Sequence, residues 1–259
     1  MKKRIVGAAI VVIVLVAALL LGNKIFTIVI SLAALLGLKE LIDIKYKDKK
    51  INFIKIISGI FLILFLLNNN LYQINEKALL ILPIISLIIP IVFYNDKTKY
   101  NINDALYFLG IIYFLAFSFS TIIEMRDVSI YKCIYIFIIS FMTDTYAYIG
   151  GMLIGKHTFT DISPKKTIEG CLIGAIMGTF IGTMFYHTLI GDLSLIKIII
   201  MSIVLTLLSE IGDLVFSSIK RYFGKKDYSN LIPGHGGILD RFDSVIFVSL
   251  GLALMLSIF

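Results

Sequence analysis

The chain has 259 residues, of which 59% are hydrophobic and 16% charged, with a mean hydropathy of +0.97 and a formal net charge of +7. That balance excludes a soluble globular domain, and apolar runs of about 17 to 22 residues suit a hydrocarbon layer roughly 30 Å thick. The surplus of cations does not point to nucleic acid, because it is spread over short segments between apolar runs, where it sets orientation and meets anionic headgroups.

In chain order, Met1-Lys-Lys-Arg before an apolar run imitates a signal peptide. Leu19, Leu20 and Leu21 then pass into Gly22-Asn23-Lys24 without a small-x-small cleavage site, so the segment is expected to stay as a first helix. Candidate spans are Ile5–Leu21, Ile25–Ile42, Phe53–Leu67, Ala78–Tyr94, Ala105–Ile123, Ile130–Ile149, Ile168–His187, Leu195–Val215 and Val245–Phe259. Lipid offers no partner to bare backbone N–H and C=O groups, so each must be helical. The expected fold is an all-α polytopic membrane protein of about nine transmembrane helices, forming one integral membrane domain over residues 1–259.

Basic residues set the orientation. One side takes Lys2, Lys3, Arg4, Lys39, Lys45, Lys47, Lys49, Lys50, Lys55, Lys97, Lys99, Lys156, Lys165, Lys166 and the cluster from Lys220 to Arg241, 19 of the 24 Lys and Arg. The other side takes Lys24, Lys77, Arg126, Lys132 and Lys197. This bias predicts a multi-pass protein of the plasma membrane with the N-terminus and both late polar loops in the cytoplasm, and the C-terminus outside. Cys133 and Cys171 fall in apolar segments without metal or disulfide spacing, and read as buried small hydrophobes.

Residues 1–128 carry little chemistry and read as mainly structural. Residues 129–259 are different. Asp144 lies in the last two turns of the sixth span, where an ionisable group is costly unless it meets a partner or water. The following loop is expected to run from Gly150 to Lys156 and nearly matches a phosphate-binding GxxxxGK. His157 stands where Ser or Thr belongs and no strand precedes it, so a P-loop is rejected. In Ser163-Pro164-Lys165-Lys166-Thr167, Pro164 suits a helix entry, and Ser163 or Thr167 suits a cap. Two lysines there oppose the helix dipole, which suggests either a bound phosphate or simple orientation bias. Gly170, Gly174, Gly178 and Gly182 form a close-packing stripe.

Glu210, Asp213, Ser217 and Lys220 are spaced to share one helical face. Carboxylates turned inward there offer oxygens to a hard cation, as do Asp240 and Asp243 at the start of the last span. Pro233-Gly234-His235-Gly236-Gly237 lies between them and allows close backbone approach to a ligand. A mere return turn would not need His235, Asp240, Arg241 and Asp243 in close succession.

Ser217-x-x-Lys220-Arg221, Lys226-Asp227, Pro233-Gly-His-Gly-Gly237 and Asp240-Arg241-Phe-Asp243 together resemble the signature of the phosphatidate cytidylyltransferases (CDP-diacylglycerol synthases). Asp144–Tyr148 and Ser163–Thr167 resemble a second conserved region of that family, so the resemblance covers about the last 120 residues. Phe216 departs from it, standing where many relatives carry an acid, and so does Ile168, where an aromatic is common. The resemblance implies that phosphatidic acid and CTP give CDP-diacylglycerol and pyrophosphate, with Mg²⁺, a second metal ion being left open. It implies a metal centre at Asp213 and Asp240, with Asp144, Asp243 and Glu210 as further candidates, and a homodimer. Lys220, Arg221, Lys226, His235 and Arg241 are expected to serve catalysis, and Ser163, Lys165, Lys166, Thr167, Ser217, Gly236 and Gly237 to hold substrate phosphates. Two alternatives stay open at this stage: a CTP-dependent polyprenol or phytol kinase, and an ion pathway lined by Asp144, Glu210 and Asp213.

Overall fold

Apolar runs that must close every backbone hydrogen bond internally leave the helix as the available element. The computed structural model of the chain describes residues 2–46, 51–68, 74–94, 96, 99–232 and 236–259, with side chains from residue 11 onward. The helices are α1 (Lys2–Leu21), α2 (Asn23–Tyr46), α3 (Asn52–Leu67), α4 (Glu76–Ile88), α5 (Pro90–Phe93), α6 (Ile102–Val128), α7 (Ile130–Ile154), α8 (Ile168–Leu189), α9 (Leu195–Tyr222) and α10 (Leu239–Ile258). Among the described residues there is no strand, only two isolated antiparallel bridges, Thr158 with Thr167 and Ile232 with Gly236.

Among the described residues, seven helical stretches are long and apolar enough to cross a membrane: α2, Glu76–Phe93, α6, α7, α8, α9 and α10. The other two expected spans coincide with the apolar helices α1 (Lys2–Leu21) and α3 (Asn52–Leu67). The chain is thus an all-helical, multi-pass membrane protein. Within Glu76–Phe93 the helical hydrogen-bond ladder is interrupted next to Ile89, because Pro90 has no N–H to donate, while Ile89 itself keeps helical backbone angles. The first residues of α6 cap each other: Asp104 N donates to Asn101 Oδ1 and Asn101 N to Asp104 Oδ2, both at 3.2 Å.

The chain divides into two compact units, Met1–Ile123 with Tyr228–Ile238, and Glu124–Asp227 with Leu239–Phe259. In the first unit, α2 and α6 are joined through buried polar pairs. Tyr46 Oη donates to Asp104 Oδ1 at 2.7 Å and Tyr107 Oη to the Leu41 carbonyl at 2.7 Å. Lys45 Nζ stands 4.2 Å from the centre of the Tyr107 ring.

In the second unit, α8 lies directly on α7. A Cβ placed at Gly174 would come within 2.7 Å of the Thr143 carbonyl, and one at Gly170 within 2.6 Å of the Ala147 carbonyl. The glycine stripe is therefore the contact face between two helices whose backbones touch. Lipid tails supply no hydrophobic drive for this contact, so close van der Waals approach holds the pair together. Hydroxyls tie the same bundle to α9: Tyr135 Oη pairs with Ser202 Oγ at 2.8 Å, and Thr179 Oγ1 with Thr206 Oγ1 at 3.2 Å.

Two local expectations change. The loop expected from Gly150 to Lys156 is helical as far as Ile154. Gly150 and Gly151 stay in α7 because their bare Cα atoms pack against Ile173, Thr167 and Gly170, a gain in packing that outweighs their poor helix propensity. Pro164 does not enter α8. It lies in a turn closed by Lys166 N donating to the Ser163 carbonyl at 2.9 Å, and α8 starts after Thr167, whose Oγ1 accepts from Gly170 N at 3.2 Å. Cys133 and Cys171 are both buried free thiols, as expected.

Candidate active site

The second unit gathers its ionisable groups where α7, α9 and α10 and the α7–α8 connection meet. Asp144 comes from α7, Glu210 and Asp213 from α9, Asp243 from α10, and Lys166 from the connection. Each lies within electrostatic range of several others. Two ion pairs organise the group. Lys166 Nζ meets Asp213 Oδ2 at 2.7 Å, and Lys220 Nζ donates to Asp240 Oδ1 at 2.7 Å. Ser244 ties the acids of two helices together, donating from Oγ to Asp144 Oδ2 at 3.1 Å and from its N–H to Asp243 Oδ1 at 2.9 Å.

Local sequence explains why these groups converge. Glu210, Asp213 and Lys220 repeat at helical spacing on α9, so one face carries the whole series. Asp240, Asp243 and Ser244 occupy the first two turns of α10. Carboxylates are favoured at a helix N-terminus, where unpaired amides and the helix dipole present partial positive charge. Lys166 is brought in by the Ser163–Lys166 turn and by the bridge that pairs Phe159 N with the Lys166 carbonyl at 2.8 Å. Burial alone would lower the pKa of the Lys166 ammonium. The Asp213 carboxylate outweighs it, with Asp144 and Glu210 adding, and holds the pKa above the ordinary lysine value.

Five carboxylates thus share the region with two lysines. Glu210 is buried, and its Oε1 has no hydrogen-bond partner. Uncompensated negative charge at membrane depth is costly, and this all-oxygen donor set suits a hard divalent cation. Among the described residues, no three of His, Cys, Asp or Glu are gathered closely enough to hold an ion. Asp213 and Asp240 instead each carry a lysine.

The remaining expected site residues separate by exposure. Lys165, Arg221, Lys226 and Arg241 are exposed, and Arg221 Nη1 donates to the Lys225 carbonyl at 3.1 Å. Ser217 is half-buried on α9, Thr167 serves as the α8 cap, and Ser163 accepts in the turn before it. His235, with Pro233 and Gly234, lies outside the described residues. Gly236 and Gly237 belong to the first unit. Gly236 has φ +81°, a backbone conformation that favours glycine.

Two acids not singled out from the sequence also organise loops. Glu169 accepts from the amides of Lys156 and His157 through Oε2, at 3.1 and 3.3 Å, and its Oε1 meets His157 Nδ1 at 2.6 Å. These are the amides that a P-loop would have turned to phosphate. In the first unit, Glu40 of α2 accepts from Ser229 Oγ at 2.6 Å and from Ile238 N at 2.9 Å. An acid inside the expected span Ile25–Ile42 was the available signal for Glu40, since burial of a carboxylate in a span demands a partner.

The cytidylyltransferase family model matches residues 2–259, and the chain belongs to that family. It is similar to the phosphatidate cytidylyltransferase of Staphylococcus haemolyticus, 34% identical over 259 residues that cover 96% of each chain. The proteins of the same name from Staphylococcus saprophyticus and Staphylococcus aureus (strain COL) are 34% and 33% identical over 250 and 253 residues, again covering 96% of each chain.

Proposed function

We propose that this protein transfers the cytidylyl group of CTP to phosphatidic acid, giving CDP-diacylglycerol and pyrophosphate for phospholipid synthesis. One observation carries the assignment in a chain of this family: five carboxylates at the ends of α7, α9 and α10 share the region with the buried Lys220 and the half-buried Lys166. Both substrates are polyanions and one is confined to the bilayer, so a site rich in charge at the end of membrane helices suits the pair.

In the reaction, a phosphate oxygen of phosphatidic acid bonds to the α-phosphorus of CTP as the bond from that phosphorus to the β-phosphate bridging oxygen breaks. The nucleophile is already anionic and needs no strong base. Positioning and charge neutralisation supply the catalysis in such transfers. Asp213 and Asp240 would hold magnesium in place of their lysine partners, with Asp144, Asp243 and Glu210 as further oxygen donors and a second ion as an extension of the same set. Bound magnesium would neutralise charge on the triphosphate and the departing pyrophosphate. Lys165, Lys220, Arg221, Lys226 and Arg241 are assigned to substrate and product phosphates, and Lys166 to orienting Asp213. Gly236 and Gly237, with His235, are assigned to the loop that approaches the triphosphate.

We place the nine expected spans in the plasma membrane, and the excess of Lys and Arg on one side of them supports a cytoplasmic N-terminus and site and an external C-terminus. A homodimer completes the assignment. Purified protein incubated with phosphatidic acid, Mg²⁺ and each nucleoside triphosphate in turn should release pyrophosphate with CTP and form a CDP-lipid. Release of CDP instead would indicate γ-phosphate transfer and overturn the assignment.

A further inference from the structure

Glu40 lies in the half of the chain whose sequence carries little chemistry, yet it is 5% exposed and holds the segment that connects α9 to α10. Two hydrogen bonds converge on one atom: Glu40 Oε1 accepts from Ser229 Oγ at 2.6 Å and from the Ile238 amide at 2.9 Å. The partners are 189 and 198 residues away in sequence. In sequence they flank the Pro233–Gly237 motif, with Ser229 before it and Ile238 after it. Gly237 adds a third constraint. A Cβ there would run into the Glu40 carboxylate, reaching Oε2 at 2.6 Å and the other carboxylate atoms more closely still. The missing side chain at Gly237 therefore makes room for Glu40, whereas the glycine at 236 answers a positive φ. Two adjacent glycines have two different physical causes.

We infer that Glu40 is a positioning residue for the cytidylyltransferase reaction, fixing Ser229 and the Ile238 amide so that the chain enters α10 in the register that carries Asp240. The inference rests on the function proposed above and extends it to a residue outside the charged cluster. Its physical basis is a hydrogen-bonded carboxylate that holds Ser229 and the Ile238 amide to one atom. Asp240 follows Ile238 by two residues, so slack in that amide passes directly into the first turn of α10. A buried carboxylate that accepts two hydrogen bonds fixes the turn more firmly than a neutral acceptor.

Three variants test the clamp, read by amide hydrogen exchange over residues 228–238 and by the kcat and KM of pyrophosphate release. Glu40→Ala should raise exchange in that segment at least tenfold, leave α7 and α8 amides unchanged, and lower kcat/KM for CTP at least tenfold. Glu40→Gln keeps an oxygen acceptor and should recover most of both losses. Gly237→Ala should be damaging in the wild-type background and much less so in Glu40→Ala, where the opposing carboxylate is gone. Unchanged exchange in Glu40→Ala, equal losses in Gln and Ala, or equal cost of Gly237→Ala in both backgrounds would each overturn the clamp. Should the wild-type protein release no pyrophosphate from CTP, the reaction assigned above fails, and the exchange measurements still decide whether Glu40 holds the turn.

Discussion

Lys220 and Asp240 are separated by 20 residues in the chain, yet the ammonium of one donates to the carboxylate of the other at 2.7 Å. The side chains are 10% and 4% exposed. A buried ion pair contributes little over an apolar pair of the same size, but removing one partner leaves a charge without compensation. Lys220→Met is therefore expected to lower stability by about 3 to 5 kcal/mol, seen as a fall in melting temperature in detergent. Asp240→Asn keeps an acceptor for Lys220 and should cost less stability while abolishing pyrophosphate release. Equal melting temperatures for wild type and Lys220→Met would show that the pair does not brace α9 against α10.

Lys166 and Asp213 form the second pair, at 2.7 Å, and it has a signature in pH. The folded pKa of Lys166 lies above its ordinary value of 10.5, because Asp213 outweighs burial. Its contribution is thus fully present below that ordinary value and is lost only as pH rises through the higher folded value. Asp213→Asn removes the main opposing charge, so burial should win a larger share and Lys166 should deprotonate at lower pH. Labelling of Lys166 by an amine-reactive reagent across pH, followed by mass spectrometry, measures this. No downward shift in the variant would contradict the pairing.

The Gly174 contact predicts a steric cost. The atom nearest to an added methyl is the Thr143 carbonyl, which belongs to a helix backbone and cannot swing aside. Gly174→Ala should push α8 from α7 and cost about 1 to 3 kcal/mol, the usual range for overpacking. Asp144 follows Thr143 directly, so turnover should fall along with the melting temperature. Gly110, which has open space around it, is the control: Gly110→Ala should lower neither.

Chelation of divalent cations should stop pyrophosphate release in the wild-type protein, and added Mg²⁺ should restore it. Asp213→Asn and Asp240→Asn should stay inactive at any Mg²⁺ concentration. Turnover that survives chelation would remove magnesium from the scheme.

Much of the fold is legible in the sequence because lipid leaves the backbone few options. Positions such as Leu195–Val215 must be helical wherever they lie in the bilayer, and Glu210, Asp213 and Lys220 then share a face by helical geometry alone. Gly170 to Gly182 could be read as a packing stripe for the same reason. Other features depend on neighbours that the local sequence does not name. Gly150 and Gly151 look like loop residues until α8 supplies the surface against which they pack. Lys165 and Lys166 are adjacent and chemically alike, but only Lys166 reaches Asp213, because the turn closed on Ser163 sets the direction of each side chain.

By itself the sequence determined an all-helical membrane chain, its charged C-terminal stretch and the spacing of the acids on α9, all consequences of composition and of periodicity within one segment. The tertiary structure alone decided the partnerships: Lys166 with Asp213, Lys220 with Asp240, Ser244 with Asp144, and Glu40 with Ser229 and Ile238. The physical reason is the same throughout. A hydrogen bond or ion pair between residues 20 to 198 positions apart depends on how the helices and connections pack, and that packing is a property of the whole chain.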